Sequence, residues 1–222
     1  MKKKWTALAV ALVLVSGCGE IVTTSGGRSD ASRAESQLRT VPLDRREAAR
    51  LKDIMVPLLR VTNNRKSTNN VRIGLISDPS INAANAGGGE FYITTGLLEK
   101  ANDEQLRGVL AHEIAHDDLG HVARAQVLGA GLNIGMVLLE QILPGSSAVT
   151  PIAGTLIARG YSRREEYAAD SHGVELLERA GYSPQTLERT LEWILRQEKP
   201  GGGGGFLSSH PATEDRIAAL RK

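Results

Sequence analysis

Residues 111–116, Ala111-His112-Glu113-Ile114-Ala115-His116, contain the pattern HExxH. On a helix His112 and His116 stand about 40° apart around the axis, so both imidazoles reach one metal ion. Glu113 lies beside them with a shorter reach, which suits a base acting on water at that metal. With 5 histidines in 222 residues, roughly 0.01 such matches arise by chance in a chain of ordinary composition. The neighbours predict the helix itself. Asn102 is a natural N-cap, Gln105 follows it as in a capping box, and Leu106, Val109, Leu110 and Ile114 form an apolar face. The reading is a helix that holds one zinc ion per chain.

A catalytic zinc takes three protein ligands and keeps one position open. His121 lies nine residues after His112, about 900° around a continuous helix and therefore on its opposite face. A metzincin would place Gly and His where Leu119 and Val122 stand. His121 is thus read as a partly exposed helix side chain. The segment Ser162-Arg163-Arg164-Glu165-Glu166-Tyr167-Ala168-Ala169-Asp170 offers more. Glu166 and Asp170 share one helical face. Glu166 could ligate the metal, and Asp170 could accept a hydrogen bond from the second nitrogen of a ligand histidine. Glu165 points about 100° away and is read as solvated. Alone, such a pair of acids is a surface feature; behind HExxH it gains meaning.

Outward from these motifs, helical spacing of Ala48, Leu51, Met55, Leu58 and Leu59 predicts a helix over Asp44 to Arg60. Val71 to Ser77 and Glu90 to Thr95 read as strands, the second reached through Gly87-Gly88-Gly89. Val127 to Leu143 is apolar but interrupted by Gly129, Gly131, Asn133, Gly135 and Glu140, which predicts a helix buried against protein rather than lipid. Further helices are expected from Ser162 to near Gly181, from Ser183-Pro184 (N-cap, then Pro at the first helical position) to Glu198, and from Ala212 to Leu220. Pro200 and the glycines 201–205 read as a mobile loop. The class is α+β, mostly helical, with one small sheet.

At 222 residues, 41% hydrophobic and 23% charged, the chain suits one folded domain and excludes wholesale disorder. One cysteine excludes an internal disulfide and a Cys-rich metal framework. Lys2, Lys3 and Lys4 precede an apolar stretch, Trp5 to Val15, well short of the ~20 residues a membrane span needs. Residues 1–17 read as a secretory signal. Ser16-Gly17-Cys18 resembles a bacterial lipobox, which implies cleavage before Cys18 and its acylation. Residues 18–40 would then be the lipidated cysteine and a flexible tether, and residues 41–222 the folded zinc-binding domain. Loss of the three lysines leaves 24 basic against 25 acidic residues, so no nucleic-acid partner is expected. Acyl chains on Cys18 would hold the protein at a membrane without spanning it. By analogy with bacterial lipoproteins, Gly19 after the cysteine favours the periplasmic face of the outer membrane.

HEIAH followed by SRREEYAAD resembles the gluzincin metallopeptidases that include HtpX and the CAAX prenyl endopeptidase, in their soluble, lipid-anchored periplasmic branch. The resemblance spans about residues 45 to 221 and includes Ser77 to Ala83, Ile93 to Leu98, and Ser209-His210-Pro211 with Arg216-Ile217. It implies a zincin-like domain, zinc held by His112, His116 and Glu166, Glu113 as base, and Asp170 behind the ligands. His210 would lie near the metal, as an oxyanion stabiliser or an inhibitory extra ligand. Ala84 stands where the family usually has an aromatic, and Gly87 where it often has proline; both bear on substrate binding. The implied activity is zinc-dependent hydrolysis of internal peptide bonds in unfolded or misfolded cell-envelope proteins, with envelope assembly machinery as a further partner. An extended substrate would add to the strand formed by Glu90, Phe91, Tyr92, Ile93 and Thr94. The rival reading is a membrane-anchored binding or chaperone-like module with a structural or self-inhibited zinc site.

Overall fold

The computed structural model describes residues 40–64, 70–121, 137–138, 160–198, 205–211 and 214–222. The signal segment, Cys18 and nearly all of the tether lie outside them. So do the 201–204 glycines, Ala212 and most of the apolar stretch 127–143.

Among the described residues, five strands form one sheet. Strand β2 (Arg72–Ile76) runs parallel to β4 (Glu90–Thr94), and β3 (Ala83–Gly87) pairs antiparallel with β4. Two short strands, β1 (Thr40–Val41) and β5 (Val137–Leu138), lie antiparallel to opposite ends of β2. The order is β1-β2-β4-β3, with β5 on β2. Thr40 pairs with Ile76, so it belongs to the sheet rather than the tether. Val137 and Leu138, expected in a helix, are strand residues.

Strand β3 had no sequence signal. Ala, Asn and Gly are poor strand formers, and this segment is a strand because β4 offers a partner and the metal-motif helix covers it. The β3–β4 hairpin turns through Gly87, Gly88 and Gly89, all at positive φ. Along β2 and β4 alternate residues, Ile73 and Leu75 with Phe91 and Ile93, face the helical core.

The helices are α1 (Arg45–Leu59), α2 (Thr95–Lys100), α3 (Asp103–Asp118), α4 (Arg163–Arg179), α5 (Gln185–Gln197), α6 (Phe206–Ser209) and α7 (Glu214–Leu220). Helices α1, α3 and α4 each begin with a reciprocal capping box: Asp44 with Glu47, Asn102 with Gln105, and Ser162 with Glu165. Glu165 is therefore a capping residue rather than a merely solvated one. Helix α5 starts one residue later than expected. Pro184 is its N-cap, and the Ser183 carbonyl accepts from Thr186 N–H.

Helix α3 is the centre of the domain, enclosed by α1, α4, α5 and β3. Leu106, Val109, Leu110, Ala111, Ile114 and Ala115 are all buried. A helix covered on every side needs close approaches somewhere. At Gly108 a β-carbon would stand 2.1 Å from Thr190 Oγ1, so glycine lets the Thr190 side chain of α5 pack directly on the α3 backbone. No helix among the described residues is long and apolar enough to cross a membrane.

Candidate metal centre

Four donors from three segments converge. Helix α3 supplies His112 and His116, α4 supplies Glu166, and the chain after α6 supplies His210; all four are buried. Nε2 of His112 lies 3.0 Å from Nε2 of His116 and 3.2 Å from Nδ1 of His210. The Glu166 oxygens lie 3.5 Å from His112 Nε2, 3.4 Å from His116 Nε2 and 3.1 Å from His210 Nδ1. Four ligands around a zinc at about 2.05 Å stand roughly 3.3 Å apart. The spacing and the nitrogen-oxygen donor set therefore fit a tetrahedral zinc.

The neighbouring charges are arranged around those donors. Asp170 Oδ1 lies 3.0 Å from His112 Nδ1, on the ring edge away from the donor cluster. Arg216, fully buried, donates from Nε and Nη2 to the two Asp170 oxygens at 2.7 and 2.6 Å. Its Nη1 lies 2.5 Å from Glu166 Oε2. Burial penalises the Asp170 carboxylate, yet Arg216 and His112 hold its pKa below the usual range. Burial likewise opposes charge on Glu166, and His112, His116 and His210 outweigh it, so that carboxyl stays ionised. Burial disfavours a charged His112, but Asp170 and Glu166 push its pKa up to about 9. Burial lowers the pKa of His116, with His112 and His210 adding to the effect. A neutral His116 is ready to ligate.

Glu113 is 1% exposed, and neither carboxylate oxygen has a hydrogen-bond partner among the described residues. Oε1 stands 3.2 Å from His210 Nε2 without the alignment of a hydrogen bond. A buried carboxylate left in this condition is costly and marks a reactive group or a ligand site.

Several neighbours escape a reading of the sequence. Tyr161 stacks on His116, with ring centroids 3.7 Å apart. Burial, then the charges of Glu113 and Glu166, raise its pKa, so the phenol stays protonated. Phe206 stacks on His210 at 4.4 Å. Asn85 on β3 donates from Nδ2 to the Glu113 carbonyl at 3.2 Å, tying that strand to the motif. His121 is buried rather than partly exposed, because α3 stops at Asp118 and the chain turns at Gly120 (φ 68°). The glycine was the available signal.

The expected substrate strand needs correction. β4, carrying Glu90, Phe91, Tyr92, Ile93 and Thr94, is flanked by β2 and β3 and offers no edge to an added strand. Among the described residues β3 is the outermost strand on that side, and it is the one that packs on α3.

The sequence profile of peptidase family M48 matches residues 45–222, most of the chain. The chain belongs to this family. The M48 domain here is thus the α+β zincin-like domain that the family resemblance implied. It is similar to the beta-barrel assembly-enhancing protease of Escherichia coli K12, 34% identical over 160 residues, covering 66% of this chain and 33% of that protein. It is also similar to the metalloprotease LoiP of the same organism, 27% identical over 146 residues, covering 64% and 58%. A protease HtpX homolog of Janthinobacterium sp. is 29% identical over 164 residues, covering 58% and 56%. The chain thus spans a third of the first of these relatives and somewhat more than half of the other two.

Proposed function

We propose that this M48 domain is a zinc-dependent endopeptidase whose resting form is plugged by His210. The observation that carries the reading is the set of four converging donors beside the unpartnered Glu113 carboxylate. His112, His116 and Glu166 would hold the zinc. The bound ion would supply Lewis acidity, lowering the pKa of water and polarising the scissile carbonyl. Glu113 takes a proton from the attacking water and returns it to the leaving amine. Asp170, clamped by Arg216, keeps the His112 ring oriented. His210 would supply a fourth donor to that ion, so its withdrawal would open the site to substrate. Displaced from the ion, its ring N–H would be available to stabilise developing charge on the substrate carbonyl.

An extended, unfolded segment is read along β3 rather than β4, beside the helix that carries the base. Envelope substrates follow from the signal and Cys18 motifs. The name of one relative, a beta-barrel assembly-enhancing protease, adds beta-barrel assembly as the setting. The protein would work there through a lipid anchor at the periplasmic face. A binding module with a closed, structural zinc is the second reading, favoured by the same His210 contact.

The test is zinc content and casein cleavage by the purified protein, wild type beside Glu113→Gln. Bound zinc in both and cleavage in the wild type alone supports the enzyme. Zinc in both with no cleavage by the wild type, even after His210→Ala, selects the binding module.

A further inference from the structure

His121 stands behind His116, on the ring edge that faces away from the donor cluster. Its Nδ1 lies 2.9 Å from Nδ1 of His116, while His116 turns Nε2 towards His112 and Glu166. At that separation one nitrogen donates and the other accepts. The roles follow from what His116 does with its other nitrogen. An imidazole that gives Nε2 to a metal is neutral and keeps its proton on Nδ1. Nδ1–H of His116 then donates, and Nδ1 of His121 accepts.

We infer that His121 is a positioning residue of the metal centre, fixing the tautomer and orientation of His116 through this hydrogen bond. The inference rests on the zinc reading proposed above. His121 is not itself part of the donor set, because His116 stands between it and the other donors.

The local fold holds His121 firmly in that place. Helix α3 is closed by Leu119, and Gly120 N–H donates to the Asp117 carbonyl at 3.1 Å. A β-carbon at Gly120 would meet nothing within 4 Å. The glycine is therefore there for its positive φ, which reverses the chain and brings residue 121 back beside His116. Asp118 anchors the turn. Its carboxylate accepts from the backbone N–H of Asn63 and Asn64 at 2.8 and 2.7 Å, and Nε2 of His172 on α4 lies 2.7 Å from it. With Tyr161 stacked on its face, the His116 ring is restrained in two directions.

The two ligand histidines are thus supported differently. His112 has a carboxylate behind it, at Asp170, and His116 has a neutral ring. Glu166 and Asp170 already face the buried guanidinium of Arg216, and the Glu113 carboxylate stands close by without it. An imidazole acceptor orients His116 without adding another negative charge, and so leaves the ion more electrophilic than a second carboxylate would.

The experiment measures zinc affinity by chelator competition, and melting of the zinc-free form, for wild type, His121→Phe and His121→Asn. Asparagine keeps an acceptor near the position of Nδ1; phenylalanine keeps the bulk and loses it. His121→Phe should weaken zinc binding by about 10–100-fold, and His121→Asn should recover most of that loss. Wild-type affinity in His121→Phe overturns the inference. Should His121→Phe not fold, His121→Asn decides. Affinity within a few-fold of wild type supports the acceptor role. A loss as large as about tenfold with unchanged melting of the zinc-free form refutes it. Absence of zinc from the wild type removes the zinc reading itself, which is a separate result.

Discussion

Glu113 and His210 face each other across the centre, with Oε1 of the carboxylate 3.2 Å from Nε2 of the ring. The other nitrogen of that ring lies 3.1 Å from Glu166 Oε1. One imidazole therefore occupies the space between the proposed base and the donor set, where a substrate carbonyl would enter on the proposed mechanism. His210→Ala should raise casein cleavage several-fold while zinc content stays at one per chain, since three protein donors remain. A fall in activity would instead make His210 a transition-state stabiliser, and an unchanged rate would discard its part in either role.

Arg216 is a buried, permanently charged cation set against two carboxylates, Glu166 and Asp170. Arg216→Met leaves both inadequately neutralised, a change that costs about 3–5 kcal/mol when a buried pair is broken. The zinc-free protein should melt well below wild type. Arg216→Lys should recover little, because a single ammonium cannot reproduce the forked contact with Asp170. Thermal melting of the three proteins checks this, and wild-type melting of Arg216→Met would contradict it.

Glu198 closes the chain on the far side of the 201–204 glycines. Its two oxygens accept from Phe206 and Leu207 N–H at 2.8 and 3.2 Å, at the start of the short helix that leads to His210. Burial raises the Glu198 pKa, although those two amides oppose the rise. A raised carboxyl pKa means that the folded state takes up a proton more readily than the unfolded one. The charge on Glu198 thus costs stability at neutral pH, and that cost disappears as pH falls through the folded pKa to the ordinary value of 4.5. In urea denaturation, stability of wild type relative to Glu198→Gln should rise on acidification over that window. The opposite slope would refute the assignment.

Gly108 and Thr190 bring α3 against α5 with no room for a methyl group. Gly108→Ala should destabilise the domain by about 1–3 kcal/mol through overpacking, lowering the melting temperature by several degrees. Because α3 carries the metal motif, zinc affinity should fall with it. An unchanged melting curve would show that the two helices can part without cost.

The helices with the metal motifs are legible in the sequence because their signals are local. Asn102 and Gln105, or Ser162 and Glu165, cap within one turn, and HExxH needs only the helical period. β3 is illegible for the opposite reason. Nothing in Ala83-Ala84-Asn85-Ala86-Gly87 favours a strand, and its state is set by β4 and α3. Helix α6 is a four-residue turn whose start is capped from a distance by Glu198. His121 is misplaced if α3 is continued past Asp118, although Gly120 marks the stop. Tyr161 and Phe206 carry no pattern at all; each is a ring packed on an imidazole from another part of the chain. The edge position of β3 follows from the parallel pairing of β2 with β4, which no local pattern encodes.

His112 and His210 touch across a sequence separation of 98 residues. A site built from parts so far apart along the polypeptide exists only while the whole domain is assembled. A molecule that loses its tertiary structure is disarmed in the same event. On the proposed reading, a copy that unfolds would cease to be a peptidase before it could become a substrate.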